Sequence, residues 1–194
     1  MQDFWLYIQL GLEHVLDFDA YDHILFLAAL AVPFTFKNWK KVVLLATIFT
    51  IAHCTSLAFS AYDIMHVDAG LIEFSIPITI ALTALLNLSR VYRKKQTKGI
   101  FFLSLATAFF GLIHGFGFSN YFNLLMAEEE NKLIPLFGFA GGIEISQVSI
   151  ILIVLALAFL TQNILKIKQA LFIVVLSIII VIITVPMLIN TFPS

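Results

Sequence analysis

The fold class this sequence predicts is all-α: one polytopic membrane helix bundle of about six transmembrane helices, preceded by a short N-terminal interfacial helix, with both termini outside. Three observations predict it. Of 194 residues, 61% are apolar and only 12% charged, with a mean hydropathy of +1.01; a soluble domain is about 45–50% apolar and about 25% charged. The apolar residues gather into stretches close to the roughly 20 residues that cross a bilayer. The charges between those stretches alternate in sign along the chain.

The first element, residues 4–16, is apolar on one side and too short to cross alone, so it reads as an interfacial or half-inserted helix with Asp3 as its N-cap. Six spans follow, at about 23–36, 42–60, 70–89, 99–118, 134–161 and 169–189. The first is short if it starts at His23, so its helix is expected to begin near Ala20 or to be only partly membrane-buried. Connections are brief, which predicts antiparallel neighbours in a single domain covering residues 1–194. No lysine or arginine precedes Lys37, so the start lacks the positive region of a cleavable signal peptide. With one cysteine, Cys54, neither a disulfide nor a multi-cysteine metal site can form within the chain.

Orientation follows from the loops. Lys37, Lys40 and Lys41 follow span one; Arg90, Arg93, Lys94, Lys95 and Lys98 follow span three; Lys166 and Lys168 follow span five. Lys132 alone, of 11 basic residues, falls on the other side, beside Glu128, Glu129 and Glu130 and opposite the loop holding Asp63 and Asp68. The positive-inside rule then makes the basic side cytoplasmic.

Polar residues within the spans are expensive and mark function. His14 and His23 bracket an acidic run, E-H-V-L-D-F-D-A-Y-D-H; His53 lies in F-T-I-A-H-C-T-S-L, His114 in F-G-L-I-H-G-F-G-F, and Glu144 in F-A-G-G-I-E-I-S-Q. At about 1.5 Å of rise per residue, His114 falls roughly 6 Å, His53 roughly 10 Å and Glu144 roughly 15 Å below the outer ends of their spans. Asp22 and His23 sit at the outer mouth of span one, Glu73 one turn below that of span three, and Gln147 one turn beyond Glu144. All lie in the outer half or at the centre, which predicts one convergent site open to the outside. Imidazole with carboxylate is a donor set for a divalent transition metal. Taken singly, each histidine has a plainer role as a hydrogen-bonded core residue. Glu73 reads as snorkelling to the interface, His66 as a surface residue, and residues 128–130 as a solvated loop. Glycines 111, 115 and 117 around His114, and 138, 141 and 142 before Glu144, suit close helix packing or a constricted pathway.

At these motifs the chain resembles the HupE/UreJ family of bacterial membrane proteins. G-L-E-H with D-H-I-L-F-L, then F-T-I-A-H-C-T-S-L, F-G-L-I-H-G-F-G-F and F-A-G-G-I-E-I-S-Q occur in the family's order, from about Gly11 to Gln147. The resemblance implies a nickel or cobalt permease of the bacterial inner membrane, with His14, Asp22, His23, His53, His114 and Glu144 as metal residues. On that reading Glu13, Asp17, Asp19 and Asp22 form an outer rim that concentrates divalent cations. His14, Asp22 and His23 capture the ion, and His53, His114 and Glu144 pass it on.

A rival stays open. Three histidines with carboxylates also describe a zinc-type intramembrane hydrolase, with Glu144 or Asp22 as base, and the sparsely polar cytoplasmic half favours a site without a through-path. A structural metal clamping the bundle is a third possibility. The expected partners are a metal ion (nickel, cobalt or zinc) and membrane lipid, and not nucleic acid.

Overall fold

The computed structural model describes residues 2–18, 20–93, 99–127, 129 and 131–193, which are helical with no strand among them. Asp19, Lys94, Lys95, Lys98, Glu128, Glu130 and the side chain of Asp3 lie outside that description. Seven helices follow one another: α1 (Gln2–Leu16), α2 (Asp22–Ala31), α3 (Trp39–Ala61), α4 (Ala69–Arg93), α5 (Ile100–Leu125), α6 (Leu133–Phe159) and α7 (Gln169–Asn190). Helices α3 to α7 are each long and apolar enough to cross a membrane. Their outward faces expose large apolar side chains such as Ile51, Leu82, Phe101, Phe109 and Ile153, as a lipid-facing bundle requires.

The stretch expected as span one does not form a full-length helix. α2 has ten residues, about 15 Å of rise, and seven of them are buried. Pro33 is the physical reason. It supplies no N–H to the Ala29 carbonyl, so the helix ends although Val32 still has helical backbone angles, and the chain re-forms as a single 3-10 turn at Phe36–Asn38. Backbone freed at membrane depth must find partners inside the protein, and it does. Asn87 Nδ2 donates to the Ala29 carbonyl at 2.7 Å, and Gln169 Nε2 to that of Pro33 at 3.2 Å.

α1 is packed into the bundle. It lies along α6, parallel to it and with a constant register. Phe4 meets Gly138, Ile8 meets Gly142, and the Ser146 hydroxyl donates to the Leu12 carbonyl at 3.2 Å. Small residues four apart on α6 let the two backbones touch. α3 and α5 pair the same way: Gly111 faces Phe49 and Ala52, Gly115 faces His53 and Ser56, and Asn123 donates to the Ser60 hydroxyl.

These registers fix the directions. α1, α2, α4 and α6 run one way, α3, α5 and α7 the other, so α1 and α2 run in the same direction, with the His14 ring of one beside the His23 ring of the other. The two ends of the bundle differ in charge. Lys37, Lys40, Lys41, Arg90, Arg93, Lys166 and Lys168 lie at one end; Asp63, Asp68, Glu129 and Lys132 lie at the other.

Candidate metal centre

The junction between α1 and α2 is where the histidines meet. His14 comes from the last turn of α1 and His23 from the first turn of α2. His53 stands eight residues before the acidic end of α3, about 12 Å along it, and His114 eleven residues before that of α5, about 16 Å along it. α5 runs on to Leu125, beyond the end expected at 118, so His114 is deeper than the roughly 6 Å read from sequence. The ring centroids lie 4.6 Å apart for His14 and His23, 5.6 Å for His14 and His53, and 5.3 Å for His23 with either His53 or His114. The glycines make this possible: without side chains at 111 and 115, α5 closes on α3 and carries His114 toward His53.

Two ligand groups result. His14, His23 and His53 each place one donor atom within 4.8 Å of the others, and so do Asp22, His23 and His114. His23 belongs to both. Its ring is 2% exposed, and those of His53 and His114 are 0% and 1%. Five buried imidazole nitrogens find no hydrogen-bond partner among the described residues: Nε2 of His14, Nε2 of His23, both nitrogens of His53, and Nδ1 of His114. Buried polar atoms are ordinarily satisfied, and a cluster of orphaned lone pairs is what a transition ion would use.

Two neighbours select the free nitrogens. Thr79 Oγ1 donates to the Ile76 carbonyl at 2.7 Å and lies 3.0 Å from His114 Nε2. A hydroxyl has one proton, so at His114 it accepts, which places the imidazole proton on Nε2 and leaves the Nδ1 lone pair free. Asp22 Oδ1 accepts from the His23 backbone N–H at 2.9 Å and lies 3.2 Å from His23 Nδ1, which leaves Nε2 to bind. A carboxylate behind a ligating histidine is a recurrent means of orienting it. Asp22 Oδ2, 3.9 Å from His114 Nδ1, faces the second group as well. Thr79 was not legible in sequence, because a threonine in an apolar span carries no signal until its neighbour is known.

Access is from the acidic end. A cavity of about 730 Å³ is lined by Glu13, His14, Asp17, Phe118 and Tyr121 among others, and a second of about 480 Å³ by Asp22, Glu73 and Asn190. Toward the basic end, Phe26 and Phe49 stack at 4.9 Å, each about 5 Å from the His114 ring. That side is sealed by aromatic rings.

Glu144 is not brought into the cluster. Its two carboxylate oxygens accept from Thr47 Oγ1 at 2.6 Å and Thr50 Oγ1 at 2.7 Å, and it belongs to neither ligand group. The helical rise explains this: Thr50 and Thr47 lie one and two turns from His53 toward the basic end of α3. His66 is exposed and pairs with Asp63 at 3.5 Å, a surface contact.

The HupE/UreJ family model matches residues 1–190. This chain belongs to the HupE/UreJ family. No curated protein and no solved structure is similar enough to match it. Membership points to a membrane role related to nickel or cobalt transport, and to transport or accessory work rather than catalysis. Among the described residues, two histidine-containing groups, one with Asp22, could hold a metal ion.

Proposed function

We propose that this HupE/UreJ protein is a divalent transition-metal permease of the nickel or cobalt type, and that His14, His23, His53 and His114 hold the ion with Asp22 beside them. The observation that carries the reading is the set of five unpartnered imidazole nitrogens converging beside a cavity edged by Glu13 and Asp17. Carboxylates at such a mouth raise the local concentration of cations. The phenylalanine seal then corresponds to a state open on one side only, and transport requires Phe26 and Phe49 to part. The same seal is also what a resident-metal hydrolase would have. Vesicles containing the purified protein and a metal-sensitive dye separate the two. The expected result is nickel or cobalt influx that stops in a His53→Ala, His114→Ala variant. Firmly bound metal with no influx under either a metal or a proton gradient would replace the permease by the enzyme.

The proposed topology is a single transmembrane domain in the bacterial inner membrane with six crossings, the paired short helices α1 and α2 together counting as the first. Its basic end is cytoplasmic. Cysteines placed singly at Lys41 and Asp68, with Cys54 replaced, should differ in labelling by an impermeant thiol reagent on intact cells. Asp68→Cys is expected to react and Lys41→Cys to react only after lysis; the reverse pattern inverts the orientation.

A further inference from the structure

We propose that Glu144, held between Thr47 and Thr50, is a proton-binding site separate from the histidine centre. Each threonine hydroxyl has two acceptors within reach but one proton to give. Thr47 Oγ1 lies 3.1 Å from the Val43 carbonyl and 2.6 Å from Glu144 Oε1; Thr50 Oγ1 lies 3.2 Å from the Ala46 carbonyl and 2.7 Å from Glu144 Oε2. With Glu144 ionised, both hydroxyls donate to it. With Glu144 protonated, its own O–H donates to one threonine, whose hydroxyl rotates to the carbonyl four residues back. Both states satisfy every hydroxyl and carboxyl, so one proton is gained or lost by turning a rotor, without moving a helix. Oxygens at 2.6 and 2.7 Å leave no room for a metal between them, since even a hard cation sits about 2.0–2.6 Å from each ligand oxygen. A proton is the cation that fits.

The next turn of α6 extends the polar track. Gln147 is fully buried, and neither its amide oxygen nor its nitrogen has a partner among the described residues. The ionisable groups on the elements packed against α6 are Tyr7, Glu13 and His14 of α1, Asp22 and His23 of α2, Lys37 of the 3-10 turn, and Lys40, Lys41, His53 and Cys54 of α3, the lysines lying at the basic end. None of them is hydrogen-bonded to Glu144. His53 is nonetheless one turn from Thr50, so the two sites feel each other's charge. An ionised Glu144 favours a dication at the histidines and a protonated one disfavours it, with the coupling reciprocal.

The site needs no transport activity to be tested. Infrared difference spectra of the metal-free purified protein, recorded across the pH range it tolerates, read the carboxylic-acid C=O band directly. The wild type minus Glu144→Gln is expected to show one acid band that grows on acidification. In Thr47→Val, Thr50→Val its midpoint should rise by more than about one pH unit, because the ionised form has lost both of its hydroxyl donors. Glu144→Asp, which keeps the acid, serves as the second variant and should retain a band at a shifted midpoint. Nickel binding by Glu144→Gln should keep the wild-type stoichiometry at saturating nickel, with weaker affinity. An absent acid band in the wild type, or a midpoint indifferent to the threonines, overturns the proposal. So does a lower stoichiometry in Glu144→Gln at saturating nickel, which would return the residue to the ligand role expected from sequence.

Discussion

Replacing His23 with alanine is expected to strip the transition metal from the purified protein, with affinity falling by more than about 100-fold, the upper end of what loss of a supporting residue alone costs. The reason is geometric: His23 is the one residue shared by both ligand groups, and its orphaned Nε2 lies among the others. Asp22→Asn should do less. The amide still accepts from the His23 backbone, but it no longer holds the imidazole proton on Nδ1 by charge, so metal should bind at unchanged stoichiometry with about 10–100-fold weaker affinity. Retention should also fall on acidification, because imidazole binds metal only when neutral. Competition titrations with a metal-sensitive dye measure all three, with His66→Ala as a surface control. If His23→Ala binds as tightly as the wild type, the ion does not sit at this centre.

That His23 falls in both ligand groups and Glu144 in neither was not readable from the residues. Sequence carries the kind of side chain and its distance along one helix, and from these the acidic and basic ends, the five long helices and the four histidines were legible. Polar groups in apolar spans stand out because so few are tolerated there. What it lacks is the rotation of one helix against another. His53 and Glu144 look like equals on that basis. Yet the α3–α6 register sets Glu144 opposite Thr47 and Thr50, while α5 is drawn onto α3 beside His53. The placing of α1 was hidden for a related reason. Residues 4–16 and 23–36 are each too short to cross, and α1 reaches the histidines because Gly138, Gly142 and Ser146 seat it along α6. Pro33 signalled the end of α2; nothing in the sequence signalled that Asn87 and Gln169 would complete its backbone.

Those close approaches make Gly115 a position where the smallest substitution should do structural damage that reaches the site. A Cβ added there would overlap the His53 carbonyl oxygen and the Ser56 hydroxyl, itself donating to that carbonyl at 2.8 Å. The carbonyl belongs to a helix backbone and cannot rotate away, so α3 must move off α5. That shift carries His53 away from His114. Gly115→Ala is therefore expected at the upper end of the roughly 1–3 kcal/mol typical of overpacking, seen as a thermal midpoint lower by about 5–10 °C together with reduced metal occupancy. Ser56→Gly should not rescue it, because the obstructing carbonyl remains. Gly141→Ala provides the comparison: its added Cβ would meet nothing within 4 Å, and alanine is the better helix former by about 1 kcal/mol, so stability should hold or rise slightly with full metal binding. Thermal unfolding and metal analysis on the three variants check this directly. A Gly115→Ala protein with the wild-type midpoint and full occupancy would mean that α3 and α5 do not pack at the distance that brings the histidines together.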